Sequence, residues 1–292
     1  MVVPMNPAGR ASDPSAASSP RPLRRLIAAR PVAAFLVIAI ALTWVALILS
    51  IALLGNAVPG ILAELLILLG TAVLVTRTAD GKPGVRSLFR QTVRWRVGAG
   101  WYVAAVLALP ALTVLVAAAT GTFHQPTDGW ATLAGSYLLN TLIVGALLGN
   151  IWEELAWTGV VQRRLMERYG LLTGSLLTAI PFALIHLPLA FADKGFGATA
   201  WPDVALAWGV LLVFAPLFRL MVGIAYLGTG QSLLIVALLH ASFNASEQTK
   251  LAVFDGAWQQ IAAATVLLVV LALLRKFRTL TAEAGHGAAV AG

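Results

Sequence analysis

The sequence has no cysteine, and only 11% of its 292 residues are charged. Without cysteine there is no disulfide framework, thiol nucleophile or cysteine-ligated metal, so any catalysis must use oxygen or imidazole groups. The scarcity of charge accompanies a hydrophobic fraction of 59% and a mean hydropathy of +0.87. These values lie outside the range of ordinary soluble domains. The composition therefore predicts an integral membrane protein.

The net charge of +8 does not indicate a nucleic-acid partner, because the basic residues lie between apolar runs instead of on a soluble surface. Apolar runs of about bilayer length occur at 32–54, 58–76, 100–120, 132–157, 171–190, 204–227, 230–247 and 258–274. With a cytoplasmic N-terminus, the arginine-rich segments share one side and only Lys194 and Lys250 fall opposite. We therefore predict an all-α, polytopic transmembrane bundle of about eight spans, with both termini cytoplasmic, in the bacterial plasma membrane.

The ends of the chain differ in composition from its middle. Residues 1–22 are rich in proline and small polar residues and predict a disordered cytoplasmic tail, and residues 281–292 are predicted to form a second tail. Residues 23–280 are predicted to form one transmembrane domain, because the loops between apolar runs are too short for a soluble domain. The lipid bilayer is thus one expected partner.

Ionisable side chains within the apolar runs are the candidate functional residues, because hydrocarbon disfavours them unless they are paired or hydrated. Glu153 and Glu154 lie about ten residues before a basic cluster, which places them near the middle of the bilayer. His186 and His240 lie at comparable depth in two later runs. Asn244 follows His240 by one helical turn and shares its face. Three helices are therefore expected to bring polar groups together.

Such a set suits hydrolysis. Glu153 can take a proton from water while imidazole and amide groups stabilise the developing oxyanion. Alternatively, Glu153, His186 and His240 are three ligands of a catalytic zinc ion that keeps its fourth position for water. The His-Glu-x-x-His motif of the standard zinc peptidases is absent. The residues themselves leave the cofactor open between one zinc ion and none.

Three motifs within about residues 130–250 resemble those of the CPBP intramembrane peptidases, also called the Abi family. They are Glu153-Glu154 with Trp157 and Gly159, Phe182-x-x-x-His186, and His240-x-x-x-Asn244. The resemblance implies a helical membrane fold in which Glu153 activates water, Glu154 supports it, and His186, His240 and Asn244 complete the site. The family includes type II CAAX prenyl endopeptidases and bacterial relatives linked to bacteriocin processing or self-immunity. It thus implies an endopeptidase acting on a membrane-associated protein or peptide.

The sequence departs from the family pattern at one position. The family usually has arginine four residues after the second glutamate, where this chain has Thr158. We predict that Arg219, which lies within another apolar run, supplies a substitute cation to the glutamate pair.

Because Thr158 stands in place of the family arginine, other functions must be considered. The alternatives are a catalytically silent membrane scaffold or immunity protein and a proton-coupled transporter, since intramembrane carboxylates and histidines also build proton pathways. Glu64 is expected to be structural, because it lies near the outer end of the second run and can reach the interface.

Overall fold

The computed structural model describes residues 22–247 and 252–290, and these residues form helices and connecting loops without a strand. The α-helices of the first half are α1 (Pro22–Ala29), α2 (Pro31–Leu54), α3 (Val58–Ala79), α4 (Gly81–Thr92), α5 (Ala99–Val103), α6 (Leu109–Ala119) and α7 (Gly129–Leu139). Those of the second half are α8 (Ile151–Ala156), α9 (Arg163–His186), α10 (Trp201–Gly228), α11 (Leu233–Ala245) and α12 (Ala257–Val290).

Six stretches of the described chain are long and apolar enough to cross a membrane. They are Pro31–Leu54, Val58–Ala79, Ala99–Ala119, Gly129–Phe191, Trp201–Gly228 and Ala257–Lys276. The 63-residue stretch among them turns at Gly170, whose φ of 79° and ψ of 170° suit a residue without a Cβ. Helix α11 is apolar but has only 13 residues. The predicted polytopic helical bundle is confirmed, while eight spans and cytoplasmic termini stay predictions.

The predicted tails fall largely at the edges of the described residues. Helix α1 begins at Pro22, and residues 1–21 lie outside the described part of the chain, as do residues 291 and 292. Helix α12 continues to Val290, through most of the segment predicted as the second tail. The division into two tails and one transmembrane domain stays a prediction.

Three π-helical segments interrupt the α-helices, and two of them flank α8. The segments are Ala104–Ala108, Asn140–Asn150 and Trp157–Gln162. The second approaches α11 closely, since a Cβ on Gly145 would lie 2.6 Å from the Cβ of Ala241. π-Helical turns change the direction in which successive side chains point and are frequent at functional sites. We therefore expect a functional site at α8.

The end of α9 is tied to two other helices. Pro188 has no N–H to donate to the carbonyl of Leu184, and the indole N–H of Trp44 on α2 donates to that carbonyl at 3.0 Å. The indole N–H of Trp208 on α10 donates to the carbonyl of Leu187 at 3.0 Å. A 3-10 helix, Leu187–Phe191, follows directly. These bonds hold the backbone around the last residue of α9, which is His186.

Candidate active site

Glu154, on α8, is fully buried and surrounded by donors. Nη1 of Arg219 lies 2.9 Å from its Oε1 and 3.1 Å from its Oε2. Nδ1 of His240 donates to Oε1 at 2.8 Å, and the hydroxyl of Thr158 donates to Oε2. Each carboxylate oxygen therefore accepts two hydrogen bonds, which accounts for the roughly four lone-pair sites of the group.

Arg219, on α10, is equally enclosed, with 0% of its surface exposed. Its Nη2 donates to Thr158 Oγ1 at 2.7 Å, and its Nε and Nη2 donate to Gln162 Oε1 at 2.8 and 2.5 Å. The ring of Phe182 lies 4.9 Å from its guanidinium carbon. We call Glu154, Thr158, Gln162 and Arg219 the closed cluster. The predicted contact between Arg219 and the glutamate pair is confirmed, and it is made to Glu154.

Gln162 was not singled out by the sequence, although a signal for it exists. It follows Thr158 by four residues as Thr158 follows Glu154, so the three mark one stripe of the chain at nearly helical spacing. Its side-chain nitrogen donates to the backbone carbonyl of Arg219 at 2.7 Å and to Ser175 at 3.1 Å. Gln162 therefore fixes both the guanidinium and the backbone of Arg219.

Glu153 has a different environment from its neighbour in sequence. Its side chain is 12% exposed, against 0% for that of Glu154. Nε2 of His186 lies 3.5 Å from its Oε1, and this oxygen makes no hydrogen bond within the described part of the chain. Its Oε2 accepts from Nδ2 of Asn150 at 3.2 Å. Glu153 thus has one buried oxygen that accepts no hydrogen bond within the described part of the chain.

The orientation of His186 follows from its other ring nitrogen. Nδ1 lies 2.7 Å from the carbonyl oxygen of Phe182, which can only accept, so Nδ1 carries the proton and donates. The Nε2 edge is thereby turned toward Glu153. The ring also packs against Phe182, with centroids 4.8 Å apart.

Asn244 reaches the same site from α11. Its Nδ2 lies 3.5 Å from Oδ1 of Asn150, which in turn contacts Glu153. Asn150 was missed by the sequence analysis, although it is a polar residue in an apolar run, one turn before the glutamates. The structure therefore brings together all five residues predicted for the site, from α8, α9 and α11.

Glu64, on α3, also belongs to these surroundings. It is only 5% exposed, and its Oε1 has no hydrogen-bond partner among the described residues. It is close enough to His186 and Glu153 to interact electrostatically with both. The expectation that it reaches the interface is wrong. The apolar run showed its position along the helix, but not which neighbours α3 would face.

The three predicted zinc ligands were tested against this geometry. Among the described residues, no group of three or more His, Asp or Glu side chains is arranged to hold a metal ion. Nδ1 of His240 is directed to Glu154 and lies 4.0 Å from Oε2 of Glu153. The arrangement does not fit a three-ligand metal site. The zinc alternative stays a prediction.

A cavity of about 510 Å³ adjoins the site. His186, His240 and Asn244 line it on the side of the site. Its remaining wall is mainly apolar and aromatic, with Phe182, Trp208, Phe214, Phe218 and Phe243 among the lining residues. A chamber of this size, with a few polar groups at one end, has the character of a ligand site. It could take an apolar peptide segment.

The fold and the site define a multi-pass helical membrane protein with a buried carboxylate and imidazole centre beside an apolar cavity. Residues 134–246, which contain all five predicted site residues, match the family model described as "Type II CAAX prenyl endopeptidase Rce1-like". The match confirms the resemblance inferred from the motifs, since this part of the chain is similar to that peptidase family. In a search of curated proteins, no protein matched.

Proposed function

We propose that the protein is an intramembrane endopeptidase in which Glu153 activates the attacking water. The observation that carries this proposal is the contrast between the two adjacent glutamates. Glu154 has both oxygens saturated by four hydrogen bonds from three residues. Glu153 keeps Oε1 without a hydrogen bond in the described chain and is directed toward His186 at 3.5 Å. A general base needs an oxygen that can accept a proton, and of the two adjacent glutamates it is Glu153 that has one without a hydrogen bond.

The reaction begins when Glu153 takes a proton from water and the water oxygen forms a bond to the carbonyl carbon of the peptide. The π electrons of the carbonyl move to its oxygen, which becomes an oxyanion. Asn244 and His240 both line the cavity. The side-chain N–H of Asn244 can donate to this charge, and His240 can do so through Nε2 when that nitrogen also carries a proton. When the C–N bond breaks, the leaving nitrogen takes the proton held by Glu153. The products are a carboxyl group and an amine.

The remaining residues orient the reacting ones. Glu154 accepts from Nδ1 of His240 and thereby fixes the ring with its Nε2 edge left for a ligand. Arg219 neutralises Glu154, so the second carboxylate does not add an uncompensated charge beside Glu153. His186 holds the available oxygen of Glu153 in place. These are positioning roles, because none of them needs contact with the peptide.

Two other functions compete with this proposal. A silent scaffold is suggested by Thr158, but Arg219 supplies the cation that the missing arginine would have brought. Proton-coupled transport needs a continuous polar path through the bundle. Here the polar groups gather at one depth, and the adjoining cavity has mainly apolar walls. The endopeptidase therefore accounts for more of the observed arrangement than either alternative.

The proposal is tested by incubating detergent-purified protein with a membrane-peptide library. We expect Glu153→Gln and His186→Ala to lower cleavage, the former by roughly 10²- to 10⁴-fold, as for the loss of a general base. Glu167→Gln is the matched control, because Glu167 is exposed and pairs only with Arg163 on the surface among the contacts described for it.

The same samples separate the mechanisms. Cleavage that survives a chelator, in protein without bound metal, supports water activation by Glu153 alone. Loss of cleavage on chelation with recovery on adding zinc would overturn that role in favour of the metal alternative. Correctly folded wild-type protein that cleaves no peptide in the library would favour the scaffold.

A further inference from the structure

The two ends of the helical bundle differ in charge. We call one the arginine-rich end; its described basic residues are Arg24, Arg25, Arg30, Arg77, Lys82, Arg86, Arg90, Arg94, Arg96, Arg163, Arg164, Arg168, Arg275 and Lys276. Contacts between distant segments hold this end together. Nη2 of Arg164 lies 2.5 Å from Oδ2 of Asp80, and the hydroxyl of Ser232 donates to the carbonyl of Arg94 at 2.6 Å. The ends of α3 and α10 and the starts of α9 and α11 therefore lie on one side.

The other side, which we call the acidic end, contains the loop after α6, the 3-10 helix after α9, and the connection into α12. The N–H of His124 donates to the carbonyl of Val253 at 3.0 Å, which joins the first and last of these. Its described acidic residues are Asp128, Asp193, Asp203, Glu247 and Asp255. The described residues of this end include a single lysine, Lys194, which pairs with Asp203 at 3.0 Å.

The cavity beside the candidate active site extends toward the acidic end. His186 and His240 line it deep in the bundle. Leu189 and Ala190, from the 3-10 helix, and Ala257, the first residue of α12, line it at the acidic end. No residue of the arginine-rich end lines it. In that direction the closed cluster fills the space, since Glu154, Thr158, Gln162 and Arg219 are all 0% exposed.

Arginine and lysine concentrate on the cytoplasmic side of membrane proteins, so we expect the acidic end to face away from the cytoplasm. We propose that the substrate is an apolar, extended peptide segment that reaches the site from the non-cytoplasmic face. The aromatic walls of the cavity suit apolar side chains. An extended segment leaves its peptide carbonyl free of helical hydrogen bonds and open to attack. This inference rests on the proposed peptidase function and specifies its substrate class.

The absence of cysteine makes the direction of the cavity measurable, because one introduced cysteine is the only thiol in the protein. Ala190→Cys places a thiol on the cavity wall, and Ser87→Cys places one on the exposed surface of α4 at the arginine-rich end. Full-length protein in right-side-out and inverted membrane vesicles is treated with a membrane-impermeant maleimide. Denatured samples establish that each thiol can react.

We expect Ala190→Cys to label at least tenfold faster in right-side-out vesicles and Ser87→Cys to label at least tenfold faster in inverted ones. The reverse pattern would overturn the proposal. So would an Ala190→Cys thiol that reacts only after denaturation, because the cavity would then not open to the non-cytoplasmic face. This labelling requires no catalysis.

A second measurement adds the substrate. The proposal predicts cleavage of an apolar peptide supplied to right-side-out vesicles. Labelling with a membrane-permeant maleimide should reduce it at least tenfold in Ala190→Cys and leave it unchanged in Ser87→Cys. Cleavage only of peptide supplied to inverted vesicles would overturn the direction of access while leaving the peptidase intact. No cleavage from either side, with the labelling pattern as expected, would instead remove the proposed function.

Discussion

The candidate site has two sides that begin at adjacent residues of α8. One is the closed cluster, and the other, which we call the open side, is formed by Glu153, His186 and the cavity. On the closed side, four side chains satisfy one another and exclude solvent. On the open side, one carboxylate oxygen lacks a hydrogen bond in the described chain and the neighbouring ring lines the cavity. Two residues of identical chemistry therefore have different surroundings, and this difference is why the proposal assigns proton exchange to Glu153.

The largest effect on stability is expected on the closed side. Arg219→Met removes the partner of a fully buried carboxylate and should lower the free energy of unfolding by about 3–5 kcal/mol, as for one half of a broken buried ion pair. Denaturant unfolding in detergent measures it. Arg90→Met, which removes an exposed arginine of α4, is the control.

A second substitution makes this test specific. Thr158→Arg places a cation one turn after Glu154, where the family usually has it, and should restore stability and cleavage to Arg219→Met. In the wild-type background the same substitution should destabilise the protein, because two guanidinium groups would compete for one buried space. If the double variant remained as unstable as Arg219→Met, the cluster would depend on the shape of Arg219 and not on its charge.

The next effect compares the same substitution on the two glutamates. Glu154→Gln leaves Arg219 with a weakened partner and should lower the free energy of unfolding by about 1.5–3 kcal/mol, the range for a hydrogen bond to a charged group. Glu153→Gln should change it by less than about 1 kcal/mol, because the glutamine oxygen can still accept from Asn150 and the Oε1 position has no hydrogen bond to lose.

For peptide cleavage we expect the order of the two variants to be reversed. At a temperature where both variants are folded, Glu153→Gln loses more activity than Glu154→Gln. If the two variants lost stability and activity in parallel, the two glutamates would form one unit and the division into two sides would be wrong.

The smallest effect is expected on the cavity wall. Ala207→Trp narrows the cavity and should lower kcat/KM by roughly tenfold, equivalent to about 1.4 kcal/mol, without changing the unfolding transition. Ala205→Trp is the matched control, because Ala205 is exposed on the same helix and does not line the cavity. Equal losses in both variants would mean that bulk on α10 matters and that the peptide does not occupy the cavity.

Much of the bundle could be predicted because a long apolar run has few alternatives to a helix in a bilayer. The predicted runs at 32–54 and 58–76 correspond closely to α2 and α3. The turn at Gly170 and the π-helical segments around α8 were not predicted, because they depend on backbone geometry that an apolar run does not specify. That His240 and Asn244 face the same cavity could be predicted from their spacing of one turn.

The contacts between helices were harder to predict from the sequence. Arg219 and Glu154 are 65 residues apart, so the sequence could suggest a partner for each but not which glutamate Arg219 would choose. The prediction for Glu64 was wrong for the same reason. The sequence gives its position along α3, but not that its side chain faces His186 and Glu153. Asn150 and Gln162 each lay at helical spacing from a predicted residue, and only the folded site gave them a role.

The sequence by itself determined that this is a helical membrane protein and named five residues of one candidate site, because charge in hydrocarbon is costly and periodic spacing fixes a helical face. Tertiary structure alone decided which glutamate is saturated, which glutamate pairs with Arg219 and which residues line the cavity. These properties depend on distances between side chains from different helices, which packing sets and local sequence does not contain.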